Sequence, residues 1–222
     1  MAGGKGNIYG SYVNEPEKAS REDSNNEEVY YEDDLEKKHL YKEIEFAVDV
    51  EDSIVYLCGE IEDFALYDFM VRCRAIIRNR VEEDTSPINV VIDSIGGDVY
   101  EMFGIIDYIE SLEKNSNIKV NTICRGKAFS AAALVLASGT GKRLASKRSS
   151  IMVHEGSSMQ AGKSSDLKAA HKYNSHLEDM ANAILGNKTN KDKKFWSEQT
   201  KTDLYLSAKD AQKLSVIDGI IH

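Results

Sequence analysis

The chain has 222 residues and a mass of 24.8 kDa, enough to bury a sizeable core without metal or disulfide staples, as one large domain or one domain with an appendage. Hydrophobic residues at 41% and charged residues at 29% are ordinary for a soluble globular protein, and the longest apolar stretches, such as 131–137, fall far short of the roughly 20 residues of a membrane span. A net charge of −9 argues against a nucleic-acid backbone as main partner.

The acidity is concentrated near the N-terminus. Between Glu15 and Glu36 ten Asp and Glu face only Lys18 and Arg21, and so polar a segment buries too little surface to offset its ordering entropy. Residues 1–40 are therefore predicted to be a disordered acidic extension. It is either an idle solvated tail or a propeptide, docking arm or gate, whose end Tyr30, Tyr31 and Tyr41 could anchor. The opening MAGGKGNIYGSYVNEP lacks the apolar run of a secretory signal. Only Pro16 and Pro87 interrupt the chain, so residues 41–222 read as one folded domain.

In that domain SIVYLCG (53–59) has a buried-strand pattern, and Leu66, Phe69, Met70, Cys73, Ile76 and Ile77 follow at helical spacing. INVVIDS (88–94) reads as a strand covered on both faces. Met102, Ile105, Ile106, Ile109 and Leu112 mark a helix, KVNTICRG (119–126) a strand, and SAAALVLAS a helix from about Ser130. RLAS and SSIMVHE look like short strands. The longest helix, about 164–187, has Leu167, Ala170, Leu177, Ala181 and Ile184 on one stripe and a polar remainder, so it projects or packs on one side only. Strands alternating with helices imply an α/β fold with a mostly parallel sheet of βαβ repeats. Cys58, Cys73 and Cys124, odd in number and set in apolar runs, read as reduced core residues of a cytoplasmic protein.

Four positions carry chemistry. Gly96 and Gly97 follow the strand INVVIDS at a turn where bare backbone N–H groups can face an anion, although a glycine pair is also common punctuation. Ser130 follows a strand and opens a helix of small residues; it is either an accessible nucleophile or simply an N-cap. His154 closes an apolar strand, and Asp203 precedes the helix start LSAKDA. Each has a bland reading, as an idle histidine and a turn aspartate. Together, Ser, His and Asp at element boundaries supply a nucleophile, a base and an orienting carboxylate. No His-Glu-x-x-His or equivalent metal-ligand set and no Walker A loop occur, so neither a metal nor a bound nucleotide cofactor is expected.

The segments SIVYLCGEIED (53–63), INVVIDSIGGDVYEMFGIIDYI (88–109), ICRGKAFSAAALVLASGTGKRLA (123–145), SSIMVHE (149–155) and TDLYLSAKDAQKLSVIDGII (202–221) resemble the Clp protease proteolytic subunit (ClpP-type) family of serine peptidases. The resemblance implies the ClpP/crotonase-like fold, with the long helix as the family's projecting handle. It further implies Ser130 as nucleophile, His154 as general base and Asp203 as its orienting partner, with backbone N–H groups of Gly97 and Ala131 forming the oxyanion hole. The implied activity is endopeptidase cleavage of unfolded polypeptides through an acyl-enzyme. It would occur inside a chamber of two stacked heptameric rings of this chain, fed by a Clp-type AAA+ unfoldase, which alone uses ATP. A phage head-maturation protease and an inactive or regulatory subunit of a mixed ring are the alternatives.

The chain departs from the family pattern at several points. Asp93-Ser94-Ile95-Gly96-Gly97 stands where Asn-Ser-Pro-Gly-Gly is usual, and keeps both glycines. Ala131 replaces the commoner methionine, Glu155-Gly156 replaces Gln-Pro, and SSMQAG replaces the glycine-rich handle loop. The acidic extension replaces the short family leader.

Overall fold

A computed structural model of the protein describes residues 45–156 and 161–222. The chain divides into two units, Met1–His39 and Leu40–His222, and all the described residues belong to the second. The acidic extension expected over residues 1–40, its tyrosines and residues 157–160 of the SSMQAG loop lie outside them.

One sheet of eight strands organises the described residues. The strands are β1 (Val48–Asp49), β2 (Ile54–Ile61), β3 (Ile88–Gly97), β4 (Val120–Phe129), β5 (Arg143–Ser146), β6 (Ser150–Val153), β7 (Leu204–Ser207) and β8 (Gly219–Ile221). The main path runs β1-β2-β3-β4-β5-β8, while β6 pairs with both β4 and β7. Pairing is parallel throughout except for β1 with β2 and β6 with β7. The sheet forks along β4. Its Thr122–Cys124 stretch pairs with β5, and its Lys127–Phe129 stretch pairs with β6.

The helices are α1 (Ala65–Asn79), α2 (Val99–Ser116), α3 (Ala131–Ala137), α4 (Ser164–Lys188), α5 (Lys193–Gln199) and α6 (Ala208–Lys213). Phe69, Cys73 and Ile76 of α1 and Met102, Ile105 and Ile109 of α2 join Val55, Val90 and Ile92 of the sheet in one core. All seven residues of α3 are buried, which only an entirely apolar helix permits. Helix α4 is the opposite case. Only Leu185 of its 25 residues is buried, and Ser164 to Ala169 are exposed without exception. Its C-terminal end is held by Trp196 of α5, fully buried, whose Nε1 donates to Thr189 Oγ1 at 2.8 Å. Among the described residues no helix is long and apolar enough to cross a membrane.

The α/β class and mostly parallel sheet agree with the sequence reading, and four details differ. Strand β3 continues through Gly96 and Gly97, because both pair with Glu60 and Ile61 of β2; the glycines end a strand rather than form the turn. Strand β4 likewise runs on to Phe129 because β6 lies beside it. The expectation that β3 is covered on both faces is corrected: Ile88, Val90 and Ile92 are fully buried, whereas Asn89, Val91 and Asp93 are only half-buried. Cys58 is not a core residue. Alternation along β2 puts Val55 and Leu57 on the buried face and Cys58 on the exposed one. All three thiols are unpaired.

Candidate active site

Three consecutive steps of the sheet converge at one end. Strand β3 ends at Gly97, β4 at Phe129 and β6 at Val153, so the next residues, Asp98, Ser130 and His154, emerge as neighbours. Asp98 turns the chain into α2, its Oδ1 accepting from the N–H groups of Tyr100 and Glu101.

Ser130 occupies the N-cap position of α3 but makes no side-chain cap. Its φ of 53° and ψ of −126° lie outside the regions an L-residue ordinarily adopts. The conformation is held by its N–H, which donates to Met152 O of β6 at 2.8 Å. With capping geometry denied to it, the hydroxyl instead meets His154 Nε2 at 2.8 Å. The capping reading of Ser130 therefore fails.

The third member arrives through the antiparallel pair β6–β7. Val153 stands opposite Leu204, which makes the next residue on one strand and the preceding residue on the other, His154 and Asp203, cross-strand neighbours. His154 Nδ1 lies 3.4 Å from Asp203 Oδ1. A proton on Nδ1 facing that carboxylate leaves the Nε2 lone pair to accept from the Ser130 hydroxyl. Asp203 is half-exposed while His154 is mostly covered, so the pair orients the ring more than it stabilises the fold. Tyr205 Oη donates to Asp203 Oδ2 at 3.4 Å, and its ring meets Phe129 edge-on at 5.9 Å.

The glycine pair is required by close approach. A Cβ on Gly96 would stand 2.7 Å from Ser130 Cβ and 2.5 Å from Phe129 O, and one on Gly97 would collide with Ile61 O. Both also have positive φ, of 90° and 150°. Asp98 N donates to Ile61 O at 2.7 Å, towards β2.

A cleft of about 300 Å³ opens beside Ser130 and His154. Gly97 and Ala131 line it with Ser130 and His154, whereas Gly96 and Asp203 do not; Asp203 stands behind the imidazole. Met102 and Leu134 contribute apolar surface, and α4 closes the side with Asn174, Leu177, Glu178 and Ala181. Burial lifts the Glu178 carboxyl above the usual range, the Glu155 charge adds to this, and His171 partly offsets it. Glu178 and Tyr205 were not singled out from the sequence. The Leu177–Ala181 stripe was the available signal for Glu178, which lies on the same turn. Among the described residues no group of three or more His, Cys, Asp or Glu side chains is placed to hold a metal ion.

The sequence model of the family described as Clp protease matches residues 38–222, a span that includes every residue of this site. The chain belongs to the Clp protease family. Among its relatives is an ATP-dependent Clp protease proteolytic subunit 3 of Frankia casuarinae, 29% identical over 78% of each chain. Subunit 2 of the same organism is 29% identical over 78% of this chain and 76% of its own. An ATP-dependent Clp protease proteolytic subunit 1 of Prochlorococcus marinus is 32% identical over 63% of this chain and 70% of its own. Membership of the Clp protease family makes this chain a ClpP-like, serine-type endopeptidase.

Proposed function

We propose that Ser130, His154 and Asp203 form the catalytic triad of this peptidase. The observation that carries the reading is the chain of contacts from Ser130 Oγ to His154 Nε2 at 2.8 Å and from His154 Nδ1 to Asp203 at 3.4 Å, opening onto a cleft. Ser130 Oγ attacks the scissile carbonyl carbon as His154 takes the hydroxyl proton, and Asp203 steadies the imidazolium that forms. The negative charge on the carbonyl oxygen is met by the N–H groups of Gly97 and Ala131. Removing one such donor from a serine protease typically costs about a hundred- to a thousandfold in rate. His154 then passes its proton to the departing amine, leaving an ester on Ser130. Water, deprotonated by the same imidazole, hydrolyses that ester and restores the serine.

The relatives named above are proteolytic subunits of ATP-dependent proteases. From the resemblance to the ClpP-type family, the working form proposed is two stacked heptameric rings enclosing the sites. A Clp-type AAA+ unfoldase supplies ATP hydrolysis and unfolded polypeptide, and the chain itself uses neither a metal nor another cofactor. The exposed first half of α4 favours self-association in particular, since a helix so little packed in one chain gains its stability from a neighbour.

Intact mass after treatment with a fluorophosphonate tests the triad. One adduct per chain is expected on the wild type and none on Ser130→Ala. An unmodified wild type, or an adduct that survives the Ser130→Ala change, would overturn the assignment.

A further inference from the structure

The cleft beside Ser130 is apolar on most of its wall, through Met102, Leu134, Leu177 and Ala181, yet two acidic residues, Asp98 and Glu178, also line it. Their situations differ. Asp98 Oδ1 accepts two hydrogen bonds from the first turn of α2, whose N-terminal donors offset its charge. Among the described residues Glu178 accepts no such hydrogen bonds, and His171 only partly offsets its charge. Among the described residues no lysine or arginine pairs with it, and none lines the cleft. Its closest electrostatic company includes a second carboxylate, Glu155, the residue after His154.

We propose that Glu178 makes this cleft a subsite for a cationic side chain, so that the protein cleaves peptides carrying lysine or arginine at the residue bonded to Ser130 in the acyl-enzyme. The inference rests on the proteolytic reading of Ser130 and adds to it the class of substrate. An apolar wall ending in a carboxylate is the environment a lysine or arginine fills best, its methylene stem against the wall and its charged head on the acid. A wholly apolar side chain would instead cover Glu178 and remove its water without returning a partner, a loss specific sites avoid. Helical geometry keeps the arrangement together, because Asn174 with Glu178, and Leu177 with Ala181, are four residues apart on the cleft-facing side of α4. The Glu155 charge beside Glu178 adds to the preference, since an incoming cation offsets that like-charge repulsion.

The test uses N-acetylated peptidyl diphenyl phosphonates that differ only in the terminal residue (Lys, Arg, Leu or Glu), which modify an activated serine without requiring turnover. Acetylation removes the α-amino group as an alternative cation. The rate of adduct formation is followed by intact mass on the assembled full-length chain. The wild type is expected to react at least tenfold faster with the Lys and Arg probes than with the Leu probe. Glu178→Gln should bring that ratio close to one, and Glu178→Lys should favour the Glu probe. Each ratio is internal to one variant, so partial loss of folded protein does not distort it. Modification of wild-type Ser130 at equal rates, or faster by the Leu probe, would overturn the inference and leave the protease intact. A ratio unmoved by Glu178→Gln would do the same. A wild type that reacts with none of the probes would overturn the proteolytic reading, and the inference with it.

Discussion

Ser130 holds a backbone conformation that costs a non-glycine residue about 1–3 kcal/mol, and the neighbours that impose it also aim its hydroxyl. Gly96 is the tightest of these, with Ser130 Cβ inside the space its own Cβ would take. Gly96→Ala should therefore lower the melting temperature, through the clash with Phe129 O at a positive φ. It should also slow fluorophosphonate labelling of the chain that remains folded by on the order of a hundredfold, the effect of moving a nucleophile by a fraction of an ångström to one ångström. Tyr205 acts from the other end of the triad. Tyr205→Phe keeps the ring against Phe129 and deletes only the hydroxyl that donates to Asp203. The expected result is a two- to fivefold loss of kcat/KM, about one net hydrogen bond, with the melting temperature unchanged. Single residues of this site were individually ambiguous in the sequence. Ser130 sits where a cap belongs, and only the structure shows that its hydroxyl turns to His154. Tyr205 carried no signal at all, because its role depends on which strand β7 pairs with.

The elements that were legible from the sequence are those long enough to show a period. Helices α1 and α2 repeat their buried residues at three- and four-residue spacing, and β3 is ten residues long. By contrast β1, β7 and β8 have two to four residues each, too few for alternation to register, and exist because a neighbouring strand offers its edge. Helix α5 went unread because KKFWSEQ has no stripe, only Trp196 as a buried anchor. Trp196→Ala should cost about 3–5 kcal/mol in urea unfolding followed by circular dichroism, as expected for a large buried aromatic. The last turn of α4 should loosen with it, through the lost bond to Thr189. The exposed start of α4 predicts a second observable at this scale. Hydrogen exchange over residues 164–173 should be fast in a dissociated chain and slow markedly on assembly; fast exchange in both states would exclude α4 from the subunit contacts.

At the scale of the described domain, Arg143 joins elements far apart in the sequence. Its guanidinium and backbone bind the Asp218 carboxylate before β8 and reach Lys188 O at the end of α4 and Ala137 O at the end of α3. Burial pushes the Asp218 carboxyl up, but hydrogen bonds from Arg143 and its charge together outweigh this and hold it below the usual carboxylate range. A carboxyl depressed in the folded state contributes stability above its unfolded pKa, and that contribution is lost as pH falls through the folded value. Asp218→Asn should therefore be less stable than the wild type at neutral pH. The gap should close only once the pH has fallen below the ordinary carboxylate range, which urea midpoints across that range would read. The β6–β7 pair has a different consequence. Because one antiparallel register sets His154 against Asp203, the length of chain from residue 155 to residue 202 has no bearing on how the base meets its carboxylate. Helices α4 and α5 can lengthen, shorten or change sequence without moving base from carboxylate, whereas a single residue inserted within β7 would separate them. Divergence can therefore accumulate in that stretch, where this chain's SSMQAG already departs from the usual loop, and alter what the cleft accepts while the base–carboxylate pair stays in place.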